Sequence, residues 1–534
     1  MERDFKVFHT MSPFEVKNEL IHAAKESCKT KIHNGEKAKV YNAGRGNPNF
    51  LNTKVRFAFY ELSTFVTKLA ESYSDIQDLG MRPPIHGIYD AFKEYTKKHI
   101  SEDHVKFLDD AIEFALKKYN FSKDDFLFEL CDAALGDFYP MPSRIFPCME
   151  RIEKDYLADV LCPDKKLPEG KFNLFATEGA SAAMVYLFNS LKENKILNSG
   201  DVIAIVTPIF SPYIEMPVLN DYQLMEINIE GKEELGWQIP DSEIDKLKDP
   251  KIKAIYMVNP TNPTSVAIDD KTLQKITDLV KHERKDLIVL TDTVYATFVE
   301  GFHSIIKEIP ENTICVYSYS KYFGVTGWRL GLIMMHEKNI INQKIQHLKK
   351  EEHLELYERY KTVSPHPEEI LFIDRLEIDS RQPALAHTGG LSGPQQLIMA
   401  LFSLYEIMDE KKRYKKDIHQ ILKVRIANLY NNMEVKIPSE KGHTYYYTLI
   451  DLSTVAKDKF GEEFQKYLME KVDPLQFLFD LAEHKQTICL PGEGFAGPKW
   501  SIRVSLANLN DEDYIVIGKN IKEVLDSYYQ NFKK

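Results

Sequence analysis

The chain has 534 residues, more than the roughly 250–300 that one hydrophobic core usually organises, so two or more domains are expected. Hydrophobic residues make up 43% and charged residues 28%, an ordinary globular balance. The formal net charge of -11 argues against a general nucleic-acid binder, and any acidic ligand has to be met by individually placed cations. The cysteines at 28, 131, 148, 162, 315 and 489 form no CxxC pair. Neither a metal site nor a disulfide framework is therefore expected, and reduced thiols fit a cytoplasmic protein. The opening MERDFKVFHTMSPFEVKNEL is charged throughout and lacks the apolar core of a signal peptide. No apolar run approaches the roughly 18 residues of a membrane span, so no membrane partner is expected.

Taken in chain order, residues 100–165 are charged and helical in pattern, include the Pro-rich GDFYPMPSRIFP, and read as an insertion. Residues 202–206, 253–258, 287–291 and 313–317 are short apolar runs rich in β-branched residues, several separated by polar segments of helix length. Unbroken runs of this kind suit parallel strands buried on both faces, and their alternation with helices predicts a doubly wound α/β domain. Ligands of such sheets sit at the carboxyl ends of the strands. Here those ends run into TPIFSP, NPTNPTS, DTVY and SYSK.

A second insertion, near 340–380, begins within one highly charged helix, read as a solvated face or an oligomer contact. The loop HTGGLSGPQQ at 387–396 then breaks any periodic pattern, and a helix is predicted from Leu397. TYYYTLIDL at 444–452 and WSIRVSLAN at 500–508 are strand-like and place a smaller α+β domain at the end. The division predicted is 1–60 as an N-terminal arm with a substrate loop, 61–396 as the large domain, and 397–534 as the small domain.

The strongest chemical signal is SYSKYFGVTGWRLG at 318–331. A lysine at a strand end can form a Schiff base with a carbonyl once it loses its proton. Ser318, Ser320 and Arg329 supply the donors that a phosphate on the same ligand would need, and Gly327 and Gly331 let the backbone bend closely around it.

The segment resembles the lysine motif of fold type I pyridoxal-phosphate enzymes, the aspartate aminotransferase group, with Lys321 as the residue that carries the cofactor. Other parts of that pattern stand in the same order. NPTNPTS at 259–265 resembles Asn-Pro-x-Asn-Pro-Thr-Gly, which implies Asn262 at the cofactor's phenolic oxygen; Ser265 replaces the usual glycine. TDTVY at 291–295 resembles Asp-x-x-Tyr. That implies Asp292 paired with the pyridinium nitrogen, keeping the ring an electron sink, and Tyr295 assisting Asn262. ATEGASAAM at 176–184 resembles the phosphate-holding turn, with the N–H groups of Gly179, Ala180 and Ser181 at a helix N-terminus. Glu178 beside them is expected to point away. Phe210 matches the aromatic stacked on the cofactor ring. LPGEGFAGPKWSIRVSLAN at 490–508 resembles the C-terminal pattern in which one arginine, here Arg503, binds the substrate α-carboxylate. YNAGRGNPNFLNT at 41–53 takes the place of the Gly-x-Gly-x-Pro-x-Phe segment, with Arg45 where an apolar residue is usual. A cation there would meet a distal carboxylate.

Together with GDFYPMPSR and HTGGLSGPQQ, these motifs closely resemble the bifunctional aspartate aminotransferase/aspartate 4-decarboxylase family over nearly the whole chain. The resemblance implies conversion of L-aspartate to L-alanine and carbon dioxide, with transamination of 2-oxo acids such as pyruvate as a side activity. It also implies a homo-oligomer, at least a dimer and larger in the family (a dodecamer), with residues near Thr388, Ser392 and Tyr73 reaching a neighbour's cofactor. The alternatives are a plain aspartate or aromatic aminotransferase, a cofactor-sensing DNA-binding regulator, and a silent scaffold. Stoichiometric alanine and carbon dioxide from aspartate separates the first from the decarboxylase. The acidic chain and the intact lysine, aspartate and arginine set disfavour the other two.

Overall fold

The computed structural model describes residues 5–228, 236–438 and 441–534. Seven strands form the central sheet: β1 (Phe172–Thr177), β2 (Val202–Thr207), β3 (Gln223–Asn228), β4 (Ile252–Val258), β5 (Ile288–Asp292), β6 (Thr313–Ser318) and β7 (Gly331–His336). Their order is β1-β7-β6-β5-β4-β2-β3. All neighbours are parallel except β7, which runs antiparallel to both β6 and β1.

The four predicted runs are β2, β4, β5 and β6, each found within one residue of its expected bounds. Successive side chains of a strand face opposite ways. Ala204, Val206, Ile255, Met257 and Val289 therefore pack on the helix Asp270–His282 through Leu273, Ile276 and Val280. Ile203, Ile205, Tyr256 and Leu290 join the main core with Ala183, Met184 and Leu187 of the helix Gly179–Glu193. The β3 strand lies at the sheet edge, with Gln223 and Glu226 exposed.

Residues 100–165 form three helices, Asp103–Tyr119, Lys123–Leu135 and Pro147–Leu161. Buried Leu108, Ile112, Leu127, Leu130, Ile152 and Leu157 belong to the main core, and the helices pack around Thr53–Glu71 and Gly393–Met408. Positions 60/61 lie inside Thr53–Glu71 and positions 396/397 inside Gly393–Met408, and these two helices also pack on each other. The predicted helix start at Leu397 moves back to Gly393, because Pro394 suits a first turn, where its missing N–H costs nothing. The single charged helix predicted after 340 is two, Ile340–Gln346 and Lys350–Tyr360, and its apolar stripe is buried at Ile341, Ile345, Leu356 and Tyr360.

The second unit holds a three-stranded antiparallel sheet of β8 (Tyr447–Asp451), β9 (Leu490–Pro491) and β10 (Ser501–Ser505), ordered β9-β10-β8. The helices Arg413–Met433 and Asp511–Phe532 pack on each other beside it. The N-terminal helix Pro13–His33 lies on Pro474–Lys485, and Tyr41–Asn42 pairs in parallel with Thr487–Ile488. Residues 13–42 are thus fastened to this second unit, which carries the loop after Asn42 towards the carboxyl ends of the central strands. No helix among the described residues is long and apolar enough to cross a membrane.

Candidate active site

A cavity of about 510 Å³ opens at the carboxyl ends of β4, β5 and β6 and is closed from the other side by the 44–47 loop, β8 and β10. Every predicted site residue lines it except Gly179, which lies directly behind the lining. Thr388, Ser392 and Tyr73 do not line it.

At the floor, Asp292 ends β5 and is buried. Its carboxylate accepts from the Tyr213 hydroxyl at 2.7 Å and from the Val294 N–H at 3.0 Å. Burial pushes its pKa up to about 6, against the pull of those two bonds and of the Lys321 charge. Asn262 donates to the Tyr295 hydroxyl at 3.5 Å, and Tyr295 donates to the Tyr447 hydroxyl at 3.3 Å. Lys321 follows β6, and its Nζ donates to the Gly46 carbonyl at 3.0 Å. Phe210 meets Tyr213 and Phe14 edge-on.

One end of the cavity is built for an anion. The helix Gly179–Glu193 starts there, with Ala180 and Ser181 in the lining, beside Arg329 and the buried hydroxyls of Ser318 and Ser320, which are 2.9 Å apart. Gly179 has φ +84°, and a Cβ on it would stand 2.7 Å from Arg329 Nη2. Gly331 opens β7 against the same turn, where a Cβ would stand 2.8 Å from Gly179 Cα. The two glycines let turn, strand and guanidinium close on one point. Glu178 points away, as expected, and pairs with Arg381 and Tyr186.

The other end is lined by cations, and among the described lining residues there it has no acid. Arg503 on β10 is fully buried, donates to the Gly44 carbonyl at 3.1 Å and to Asn262 Oδ1 at 3.3 Å, and leaves its Nε without a partner among the described residues. Its guanidinium lies 4.3 Å from the Tyr447 ring centre and 4.8 Å from that of Phe495. Burial lowers its pKa against three nearby tyrosines, yet a guanidinium stays charged at physiological pH. A buried charge of this kind is costly until a carboxylate joins it. Arg45 is exposed at the mouth and forms no ion pair among the described residues. Lys17, which sequence reasoning missed, lines the same end; burial and the charges of Arg503 and Arg45 lower its pKa. Tyr213 and Tyr447 were also missed. Only the run TYYY, which Tyr447 ends, could have drawn attention to the second.

Residues 154–517 match the family model described as aminotransferase class I and II. The chain belongs to this aminotransferase family. A "Bifunctional aspartate aminotransferase and L-aspartate beta-decarboxylase" of Pseudomonas sp is 39% identical to it over 100% of this chain and 99% of that protein. An aspartate aminotransferase of Sulfurisphaera tokodaii is 30% identical over 32% of this chain and 42% of its own length. Among solved structures, a double mutant of Thermus thermophilus aspartate aminotransferase superposes with a TM-score of 0.58 at 16% identity, covering 98% of this chain and 100% of that one. An aromatic aminotransferase from Pyrococcus horikoshii gives 0.56 at 17%, covering 94% and 99%. These likenesses establish the fold.

Aminotransferases of this family depend on pyridoxal phosphate. The cavity suits it: an anion end with N–H, hydroxyl and guanidinium donors, a buried carboxylate at the floor, an aromatic wall and a lysine that reaches the middle.

Proposed function

We propose that this aminotransferase is an L-aspartate 4-decarboxylase, releasing L-alanine and carbon dioxide, with aspartate transamination as a second activity. The observation that carries the reading is the 39% identity along the full length to a relative bearing both activities in its name. The cavity agrees with a dicarboxylic substrate, because its cations form two sets: Arg503 deep inside, and Arg45 with Lys17 at the mouth.

In this reading Lys321 carries pyridoxal phosphate. Gly179, Ala180, Ser181, Ser318, Ser320 and Arg329 hold its phosphate, Asn262 and Tyr295 its phenolic oxygen, Asp292 its ring nitrogen, and Phe210 its face. The bound cofactor supplies an electron sink for the pair left when a bond at the substrate breaks. Arg503 grips the α-carboxylate bidentately and presents the α-carbon to Lys321, which removes and returns the α-proton. Arg45 orients the distal carboxylate. Since that group must leave, a loose exposed contact serves better than a tight buried bridge, which would stabilise the ground state more than the transition state. We place the enzyme in the cytoplasm as a homo-oligomer in which Thr388, Ser392 and Tyr73 face a neighbouring subunit.

Purified protein given L-aspartate and no 2-oxo acid tests the reading. Alanine and carbon dioxide should accumulate together. An absolute need for an added 2-oxo acid would identify a plain aminotransferase.

A further inference from the structure

Conversion of aspartate to alanine needs two proton transfers at adjacent carbons. Lys321 accounts for the α-carbon. The carbon that loses carbon dioxide also has to receive a proton. On the decarboxylase reading above, we propose that the Tyr447 hydroxyl is the acid that protonates the substrate β-carbon.

Four observations carry this assignment. Tyr447 is buried at the start of β8, and its ring centre lies 4.3 Å from the guanidinium carbon of Arg503, the anchor for the α-carboxylate. Its hydroxyl borders the same space as the lysine: a Cβ built on Gly46 would stand 2.7 Å from Tyr447 Oη and 3.3 Å from Lys321 Nζ. The β-carbon is one bond from the α-carbon, so a group that shares this space with Lys321 and sits on the anchor of the α-carboxylate is within reach of both carbons.

The hydrogen-bond direction also fits. Asn262 donates to Tyr295 and Tyr295 donates to Tyr447, which leaves the Tyr447 proton without an acceptor among the described residues. The other neutral hydroxyl at the floor, Tyr213, is committed to Asp292. The Tyr447 backbone is fixed too, because its N–H donates to Ser265 Oγ at 2.9 Å. Ser265 has φ +64°, the left-handed region, so the residue that replaces the family's glycine accepts backbone strain and in return holds Tyr447 in place.

The chemistry balances without an oxidant. The bond between the β-carbon and the distal carboxyl breaks, its electron pair stays with the β-carbon side, and carbon dioxide leaves. The Tyr447 O–H bond breaks and a C–H bond forms with that pair. Water entering past exposed Arg45 returns a proton to the phenolate, which matches the one proton taken up when aspartate becomes alanine and carbon dioxide. A phenolate is tolerable here: burial alone would raise the Tyr447 pKa, but the charges of Lys321 and Arg503 and the bond from Tyr295 outweigh it, and the pKa falls below the ordinary tyrosine value.

The test uses holoenzyme, alanine and pyruvate in D₂O, followed by proton NMR. Wild type should exchange both the α-hydrogen and the methyl hydrogens of alanine. Tyr447→Phe keeps the ring on Arg503, and the ratio of methyl to α exchange should fall about a hundredfold, the size of a lost general acid. An unchanged ratio would overturn the assignment and give both protons to Lys321. A second reading needs no cofactor. In cofactor-free protein labelled with [ζ-¹³C]tyrosine, the resonance missing from Tyr447→Phe should titrate below about 10, the ordinary tyrosine value. Titration at or above that value would also overturn the assignment. Failure of the decarboxylase reading looks different: wild type would then transaminate aspartate without releasing carbon dioxide.

Discussion

Lys321 Nζ and the Tyr446 hydroxyl both donate to the carbonyl of Gly46, at 3.0 and 2.8 Å. One carbonyl thus ties the loop that carries Arg45 to a lysine of the large domain and a tyrosine of the small one. Gly46 also leaves the space into which Lys321 and Tyr447 look. A methyl at this position would stand 2.7 Å from Tyr447 Oη, too close for either to remain in place.

Gly46→Ala should therefore lower kcat/KM for aspartate by about 10²-fold, the scale of a small misplacement of reacting groups. The melting temperature should move by only a few degrees, because the loop lies at a cavity. A loss of activity that merely tracked a loss of folded protein would contradict this.

Asp292→Asn separates stability from function. The carboxyl of Asp292 has its pKa raised by burial to about 6, against an ordinary 3.8. A raised carboxyl favours the folded state while it is protonated. Its contribution is fully present below about pH 3.8, is lost as pH rises to about 6, and stays lost above; a shift of this size corresponds to roughly 3 kcal/mol. In cofactor-free protein, Asp292→Asn should be more stable than wild type at pH 7 by up to that amount, and the two should converge near pH 4. Loaded with cofactor at pH 7, the same variant should lose most turnover, since an amide does not keep a ring nitrogen protonated. Denaturant melts across pH check the first part, and steady-state rates check the second.

Much of the site was legible because its chemistry is local in sequence. Lys321, Ser318, Ser320 and Arg329 fall within one strand end and its following turn, and Asp292 with Tyr295 within another. Parallel strands buried on both faces announce themselves as apolar runs, so β2, β4, β5 and β6 were foreseen. The edge strand β3, with its exposed Gln223 and Glu226, and the Gly-led β7 carry weaker patterns. Lys17 and Tyr447 were invisible for a different reason. They reach the cavity only through long-range docking of Pro13–His33 and β8, which no local motif encodes. Ser265 was legible as a departure from the glycine of the motif, but its bond to the Tyr447 N–H was not.

The two cation sets should separate by substrate. Arg503→Ala should depress turnover of aspartate and alanine alike, since both carry an α-carboxylate and the wild-type guanidinium is buried with no acidic partner among the described residues. A loss of about 3–5 kcal/mol in transition-state binding is expected for a buried charged partner. Arg45→Ala should act mainly on aspartate, by about 1 kcal/mol or less, because an exposed pair is well screened. Equal effects of Arg45→Ala on both substrates would remove it from the reading of the distal carboxylate.

A bifunctional enzyme should also run down and recover. Each hydrolytic escape during aspartate turnover leaves the cofactor as its amine, which cannot accept another amino acid. A barrier difference of about 1.4 kcal/mol between escape and completion gives roughly one loss in ten turnovers. Activity without an added 2-oxo acid should decline as the amine spectrum grows, and pyruvate should restore both together. Linear progress with no amine form would show that the aminotransferase branch is closed.

The most direct test of the central claim follows the distal carbon itself. L-aspartate labelled with ¹³C at C4 is given to the loaded enzyme without a 2-oxo acid, and the label is traced by ¹³C NMR alongside the appearance of alanine. The expected result is label in carbon dioxide and bicarbonate in a one-to-one ratio with alanine, over many turnovers per active site. Label retained in oxaloacetate, limited to one equivalent per active site until pyruvate is added, would contradict the account and leave an aminotransferase alone.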